Sequence, residues 1–506
     1  MSIISILLIF FILFLSIYII YNRFCYFSKR SIPCPPVRSI LFGHLSDLWS
    51  AKSYSEQLHQ WTQQYGSVYG IFEGTRPVYV ISDINFIEEI FIKQFARFHS
   101  RRVTLTNRVL GEKNFNVLTA YISQLWKKQR KILNPTFSGA KMRRLLPTIN
   151  TCVNIFMERL TTQTTDGTIF NIYEIYKRLT MDVICRCAFG IDTNVQYDDY
   201  NENIYMKKVE ELFAKDSERA FLAKIHRITA HTLLTNICPI IFRLKRYFRT
   251  KNSPIQANLW LMEHMHEFIQ QRSIDEDHQK KSIDDLLQLM IDAVHSNKDQ
   301  LLPTELLSNV FIILAAGYET TSTALGYCTY RLALHQDIQE KVYEELREHW
   351  SANDNSYDTI MSKLTYMDLF VKEVLRMHPI AIQVVNRQCN EDTHVAGYDI
   401  QKDTLIQVDV LSVHYDQDLW GPEPVDEFCP ERHSDKRHPL AFMPFGAGPR
   451  ICIGMRFALM EIKLCLAQLI SAYHILPSSS EGYKINTEEQ IVIAPEKVFV
   501  KLEKRI

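Results

Sequence analysis

Phe445-Gly-Ala-Gly-Pro-Arg-Ile-Cys-Ile-Gly454 is followed by a mainly apolar run, residues 456–469, that reads as a helix. One cysteine, Cys452, thus sits in a glycine-rich loop at the head of that helix. A thiolate there is stabilised by the helix dipole and by backbone N–H groups with no partner inside the helix. Gly446, Gly448 and Gly454 carry no Cβ, so the backbone can turn tightly and lie close to a flat ligand. Arg450 adds a planar, permanently charged fork suited to a carboxylate. A buried thiolate, a flat ligand and a carboxylate clamp together suggest haem with a proximal cysteine, a ligand that favours O–O cleavage. A buried structural cysteine beside a glycine turn is the plainer alternative.

The whole pattern Phe-x-x-Gly-x-Arg-x-Cys-x-Gly, from Phe445 to Gly454, resembles without a gap the haem-binding signature of the cytochrome P-450 family. The resemblance implies a mainly α fold with a small β-sheet portion (α+β). It places haem b (iron protoporphyrin IX) between a central helix and the cysteine helix, with Cys452 as the axial ligand of the iron. Phe445, Gly446, Gly448 and Gly454 then line the cofactor.

At 506 residues the chain can bury a large core, and no glycine/serine linker, repeat or low-complexity tract divides it. Lys plus Arg and Asp plus Glu balance at 57 each, so no global field draws the protein to nucleic acid. The 11 cysteines are scattered among apolar residues, which suggests reduced thiols and a cytosol-facing body.

Residues 3–21 are nearly all apolar and uncharged, just long enough to cross a hydrocarbon core as a helix. No basic residue precedes them and no small-residue cleavage site follows, which argues against a removed signal peptide. Arg23, Lys29, Arg30 and Arg38 follow, leaving the bulk of the chain cytoplasmic by the positive-inside rule. The Ile32-Pro-Cys-Pro-Pro36 stretch reads as a stiff spacer. The expected organisation is a transmembrane anchor (1–22), a basic, proline-rich hinge (23–45) and one catalytic domain (46–506). Resemblance to microsomal members of the family implies the endoplasmic reticulum membrane.

Alternation over residues 67–72 and 76–82 predicts strands. Helical periodicity dominates residues 84–380, with a charged loop at 275–281. Residues 383–387 and 404–410 are strand-like, and residues 490–502 alternate again.

Glu373 and Arg376 lie three apart on one helix face, a pair worth little in isolation. They match the family's Glu-x-x-Arg helix, and Arg432 in Cys429-Pro-Glu-Arg-His433 matches its later loop. The resemblance implies a buried Glu–Arg–Arg cluster of structural importance. His433 departs from the usual Phe, with an expected effect on local packing.

Residues 309–334 form the candidate central helix, interrupted by Ala316-Gly-Tyr-Glu-Thr-Thr321. Gly317 removes side-chain bulk, while Glu319 and Thr320 add an acid and an alcohol that suit a proton relay. A threonine bonding back to the carbonyl one turn earlier is the bland alternative. The match to the family's motif favours the relay and sets Ala316 against the cofactor. Trp126-Lys-Lys-Gln-Arg130 resembles the family's Trp-x-x-x-Arg helix, which assigns Trp126 and Arg130, with Arg450, to the propionates. Arg101 or Arg102 and Arg387 are weaker candidates for that task.

Lys127, Lys128 and Lys131 are a candidate dock for an acidic electron donor, or a plain solvated face. Residues 238–251 interleave basic and aromatic side chains, suiting a membrane surface or a core helix. Cys429, His433 and His438 lack a fourth ligand for zinc. No dinucleotide or phosphate-cradling motif occurs, so electrons must come from another protein.

Ala-Gly-Tyr-Glu-Thr-Thr (316–321), Asn-Pro-Thr-Phe (134–137) and Gly-Met-Arg-Phe-Ala-Leu-Met (454–460) look most like the animal family-three clan. The resemblance implies a monooxygenase that inserts one atom of O2 into a lipophilic substrate (xenobiotic, steroid or lipid). NADPH–cytochrome reductase is the implied electron donor, with cytochrome b5 as a further partner. The rivals are a haem-thiolate isomerase of a peroxide and a non-catalytic, membrane-anchored haem scaffold. Segments 103–122, 213–244, 311–320, 381–385 and 491–495 are the expected, largely apolar, pocket walls.

Overall fold

A computed structural model describes residues 3–102, 115–163, 167–197, 203–213, 254–274, 285–295, 301–351, 356–479 and 483–505. The expected loop at 275–281 and the basic–aromatic segment at 238–251 lie outside these residues. The architecture is mainly helical with small sheets, as expected. The chain divides into two compact units, one comprising Met1–Val109 and Ile382–Val413, the other Leu110–Ala214, Lys251–Ala381 and His414–Ile506.

The first unit carries helix α1 (Ile3–Phe24) and a four-stranded sheet in the order β1 (Val68–Glu73), β2 (Arg76–Ile81), β4 (Leu405–Val408), β3 (Asn386–Gln388). β1 and β2 form an antiparallel hairpin, Val68 opposite Ile81, and β2 runs parallel to β4, Val78 opposite Leu405. Both hairpin strands are buried almost throughout, as their β-branched and aromatic residues require. α1 is continuous over 22 residues. Among the described residues no helix is long and apolar enough to cross a membrane. The proline stretch, expected as a stiff spacer, is bonded to the sheet: Pro33 O accepts from Gly70 N at 2.8 Å. Pro35 O also bonds His44 Nε2 at 2.9 Å, while His44 Nδ1 accepts from Phe72 N at 2.9 Å. A Cβ at Gly70 would collide with the Phe27 ring at 2.4 Å, so only glycine lets that ring lie on the strand.

The second unit holds the helices that matter for the site. They are α2 (Ser123–Leu133), α3 (Gly139–Gln163), α4 (Ile172–Phe189), α5 (Ile204–Phe213), α6 (Pro303–Leu334), α7 (Thr365–Met377) and α8 (Met455–Ala472). α6 and α8 are buried along most of their length, and one hydrophobic core joins them to α3, α4 and α7. α6 starts six residues before the expected position 309. Pro303 has no N–H to lose in a first turn, and Glu305 Oε2 reaches back to Leu302 N at 3.0 Å. The tail splits into β7 (Ile493–Pro495), paired with β6 (Thr487–Glu489), and β8 (Phe499–Lys504), paired with β5 (Tyr473–Pro477).

Candidate active site

The cysteine loop folds on its own backbone. Cys452 N donates to Phe445 O at 2.9 Å, Gly446 N to Met443 O at 3.0 Å and Ile451 N to Gly448 O at 3.0 Å. Gly446 and Gly448 take φ of 73° and 69°, values that favour glycine. Gly454 does not: its φ is −86°, and an added Cβ would meet Phe137 in ordinary contact at 3.9 Å. It caps α8, which begins at Met455. The protein's own atoms leave Cys452 exposed, whereas Cys152, Cys185, Cys187, Cys328, Cys389 and Cys465 are buried. The loop turns this thiol out of the protein's own packing.

Arg450 lies over the Trp126 indole, 4.7 Å from the ring centroid, and donates to Ala120 O. Arg130, one turn beyond Trp126 on α2, donates from Nη1 to Ile451 O at 2.9 Å. Burial pushes the Arg130 guanidinium down from its ordinary value, and the nearby Cys452 thiol pulls it up. Trp126 and Arg130 of α2 therefore meet the loop at Arg450 and Ile451.

Glu373, Arg376 and Arg432 are buried together, with half-buried His433 beside the carboxylate. Glu373 Oε2 accepts from Arg376 Nε at 2.8 Å, and its Oε1 accepts from Arg376 Nη2 and Arg432 Nε, both at 2.9 Å. Cys429 N adds a bond to Oε1 at 3.1 Å, and His433 Nε2 lies 3.0 Å from Oε2. Burial alone would raise this carboxyl, but the bonds from Arg376 and His433 win and hold it at about 2. Arg376 O meets His414 Nδ1 at 2.9 Å, and His414 Nε2 accepts from Met443 N at 3.0 Å. Met443 leads into the cysteine loop, so the cluster is wired by hydrogen bonds to the segment that presents Cys452. His433 also meets Trp420 and Phe442 edge-on, at 5.0 and 5.4 Å between centroids. The effect of His433 on local packing is thus an imidazole set edge-on against two rings, with a polar bond to Glu373 besides.

On α6, Ala316 is exposed between buried Leu314 and buried Tyr318. Gly317 does not open that face. A Cβ there would strike Ile184 Cδ1 at 2.8 Å, so the glycine permits close approach of α4. Thr320 Oγ1 donates to Ala316 O at 2.7 Å, the back-bond of a mid-helix threonine, which leaves its oxygen as an acceptor. Glu319 is buried, and Tyr173 OH donates to its Oε1 at 3.3 Å. Burial raises the Glu319 carboxyl above the usual carboxylate range, with Lys177 and Tyr173 opposing.

Other candidates are placed elsewhere. Arg102 pairs with buried Glu73 at 2.8 Å, and Arg387 lies over Phe91 at 4.0 Å; both pairs belong to the first unit. Lys128 is tied to Glu305 at 2.7 Å, joining α2 to the start of α6, while Lys127 and Lys131 are exposed. Of the expected pocket walls, residues 103–114 and 214–244 lie outside the described residues, and residues 382–385 belong to the first unit. Sequence reading missed Tyr173 altogether. A tyrosine among the buried residues of α4 gives no local sign of a partner 146 positions away.

These residues fit a haem. A Cβ at Gly446 would enter open space rather than protein, which suits close approach by a flat face. Cys452 is an exposed soft ligand on the same loop, and the Arg450–Trp126 pair with Arg130 brings positive charge beside it for propionates.

Comparison with known proteins agrees with that chemistry. The family model for cytochrome P-450 matches residues 33–502. The chain is 32% identical over 483 residues to "Putative cytochrome P-450 CYP13A4" of Caenorhabditis elegans, covering 89% of each chain. It is 30% identical to cytochrome P-450 3A12 of Canis lupus familiaris, covering 87% of this chain and 86% of the relative. Cytochrome P-450 3A29 of Sus scrofa is 32% identical, with 87% and 84% covered.

Proposed function

Since the chain belongs to the cytochrome P-450 family of haem monooxygenases, we propose that it inserts one atom of O2 into a lipophilic organic substrate, a xenobiotic, steroid or lipid. The cofactor is haem b, and electrons come from NADPH through a separate cytochrome reductase, with cytochrome b5 as a second donor. When bound, the haem supplies the iron at which O2 is activated. The chain's own residues do the rest. Cys452 provides the axial thiolate; Arg450, Trp126 and Arg130 hold the propionates; Phe445, Gly446, Gly448, Gly454 and Ala316 line the ring. Glu319 and Thr320 manage protons. Glu373, Arg376 and Arg432 keep the loop in place.

One observation carries this reading most of the way. The loop that presents Cys452 folds on its own backbone through the positive-φ glycines Gly446 and Gly448, and Arg130 is bonded to the residue next to the cysteine. For the cell, the reading is a single-pass protein of the endoplasmic reticulum membrane. Residues 1–22 are its anchor, residues 23–45 its hinge and residues 46–506 a catalytic domain facing the cytoplasm. The apolar, uncharged stretch of residues 3–21, with Arg23, Lys29, Arg30 and Arg38 after it, supports it.

The test is turnover with reductase, NADPH and isotopically labelled O2, using a steroid, a long-chain fatty acid and an alkyl arene as probes. One labelled oxygen atom in product, with NADPH consumed, is the predicted result. Rearrangement of an added lipid peroxide without NADPH would favour the isomerase instead. Haem binding with no turnover of either kind would favour the scaffold.

A further inference from the structure

The backbone of residues 115–122, which leads into α2, is held by side chains from three parts of the second unit. Gln129 of α2, fully buried, donates from Nε2 to Phe115 O at 2.8 Å. Asn309 of α6, also buried, accepts at Oδ1 from Val117 N at 2.9 Å. Arg450 of the cysteine loop donates to Ala120 O. Between these anchors Asn116 closes a turn. Its Oδ1 accepts from Leu118 N and Thr119 N, both at 3.1 Å, and its backbone O accepts from Ala120 N at 2.8 Å. An internally bonded turn thus runs from α6 to the guanidinium that lies over Trp126.

Asparagine is a poor residue for a helix interior, and burying its amide is costly unless the amide is hydrogen-bonded. Asn309 is bonded at both ends. Its Nδ2 donates to Glu305 O, one turn earlier, at 2.8 Å, which fixes the amide and turns Oδ1 toward the loop. The partners settle which end is which, since Val117 N can only donate and Glu305 O can only accept. Glu305 is anchored in turn, its Oε2 taking Lys128 Nζ at 2.7 Å and Leu302 N at 3.0 Å. α2 and α6 are therefore tied directly at Lys128–Glu305, and again through the loop at Asn309–Val117. The second tie continues through the Asn116 turn and Ala120 to Arg450.

We infer that Asn309 is a positioning residue for the cofactor clamp: by fixing Val117 it sets Ala120 O where that oxygen locks Arg450 over the Trp126 indole. The inference rests on the reading of Arg450, Trp126 and Arg130 as the residues that hold the haem propionates. A guanidinium is a planar fork, so a carbonyl that takes one arm sets the direction of the others. Ala120 O plays that part here, and its own place is inherited from the turn that Asn309 and Gln129 pin at the far end. Without the Asn309 oxygen, Val117 N loses its acceptor on α6, the turn shifts to find another, and Arg450 moves with it.

Resonance Raman spectra of the ferric full-length holoenzyme read this through the propionate-bending band, beside the rate of haem transfer to apomyoglobin. Asn309→Leu keeps the volume but has no acceptor. It should shift the propionate band in the direction that Arg450→Lys and Arg130→Lys shift it, with the vinyl bands unmoved. It should also release haem about two- to tenfold faster, the span given by one lost hydrogen bond. Asn309→Asp, protonated in its buried site, keeps an acceptor toward Val117 N and a donor toward Glu305 O, and should restore most of both readouts. Gln129→Leu removes the other anchor and should shift the band likewise, which keeps the test open if Asn309→Leu folds poorly. If the two arginine variants move the band and both leucine variants leave it in place, the inference fails and the propionate reading stands. Equal shifts in Asn309→Leu and Asn309→Asp also overturn the inference. If neither arginine variant moves the band, the propionate reading fails and takes the inference with it.

Discussion

His433 Nε2 lies 3.0 Å from Glu373 Oε2, on a carboxylate that already takes bonds from two arginines. Arg376 and Arg432 supply two positive charges against one negative, so a third cation here would be unpaired. Burial lowers the imidazole below its ordinary value, against the pull of Glu373. His433 is therefore a neutral donor.

That assignment fixes a pH dependence. Unfolded histidines take up protons below about pH 6.5, while His433, His378 and His414 (pushed down to about 3) stay neutral in the fold. The unfolded state then binds more protons, so stability falls as pH drops from about 6.5 toward the lowered folded values. Below the usual carboxylate range, Glu373 adds a further loss as pH falls toward its folded value of about 2. His433→Phe should cost about 1–2 kcal/mol at pH 7.5, through the lost bond to a charged group. The deficit should narrow at pH 5, because one neutral-held imidazole is gone. Denaturant unfolding at the two pH values measures this; a deficit that widens at pH 5 would mean that His433 is a cation.

Removing the carboxylate is a different matter. Glu373→Gln leaves two buried guanidiniums without their counter-charge and should cost about 3–5 kcal/mol. Haem retention should fall with stability, because Arg376 and His414 link this cluster to Met443 and the cysteine loop. Denaturant midpoints and haem content of the purified variant check both. A fully stable Glu373→Gln protein would show that the arginines rest on their backbone carbonyl partners alone.

A coupled pair of substitutions tests the contact between α4 and α6. Gly317→Ala gains helix propensity of about 1 kcal/mol but forces Ile184 Cδ1 away from 2.8 Å. Overpacking of this kind costs about 1–3 kcal/mol, so the single variant should be neutral to destabilised. In an Ile184→Ala background, which lacks both Cδ1 and Cγ1 (2.8 and 2.9 Å from that Cβ), the same change should become less costly or stabilising. Additive effects across the double-mutant cycle would contradict the contact.

Thr320→Ala removes a back-bond that contributes little, so its unfolding free energy should stay within about 0.5 kcal/mol of the parent. The product formed per NADPH should nevertheless drop, with more reduced oxygen released unused. A large loss of stability with unchanged coupling would assign Thr320 a structural role only.

The parts of this protein that sequence made legible are those whose chemistry is local. The β1–β2 hairpin followed from alternation, and the cysteine loop from spacing within ten residues. The Glu373–Arg376 pair is a helix-face contact that spacing alone places. What sequence could not supply was direction and long-range closure. Gly317 was read as making room on α6, yet it faces Ile184, because helical phase relative to a neighbour is a tertiary property. The Pro33–Gly70 and Tyr173–Glu319 bonds join residues that carry no mutual signal in the chain. The polar residues Thr304, Glu305 and Ser308 hid the first turn of α6, although Glu305 and Ser308 are buried there.

The central claim is that Cys452 is the thiolate ligand of a haem iron, and the carbon-monoxide difference spectrum of the dithionite-reduced protein tests it most directly. Wild type should give the long-wavelength Soret band of a thiolate-ligated ferrous–CO complex, and Cys452→Ala should lose it. A folded wild type that binds no haem, or that gives only the short-wavelength band of a non-thiolate complex, would contradict the account.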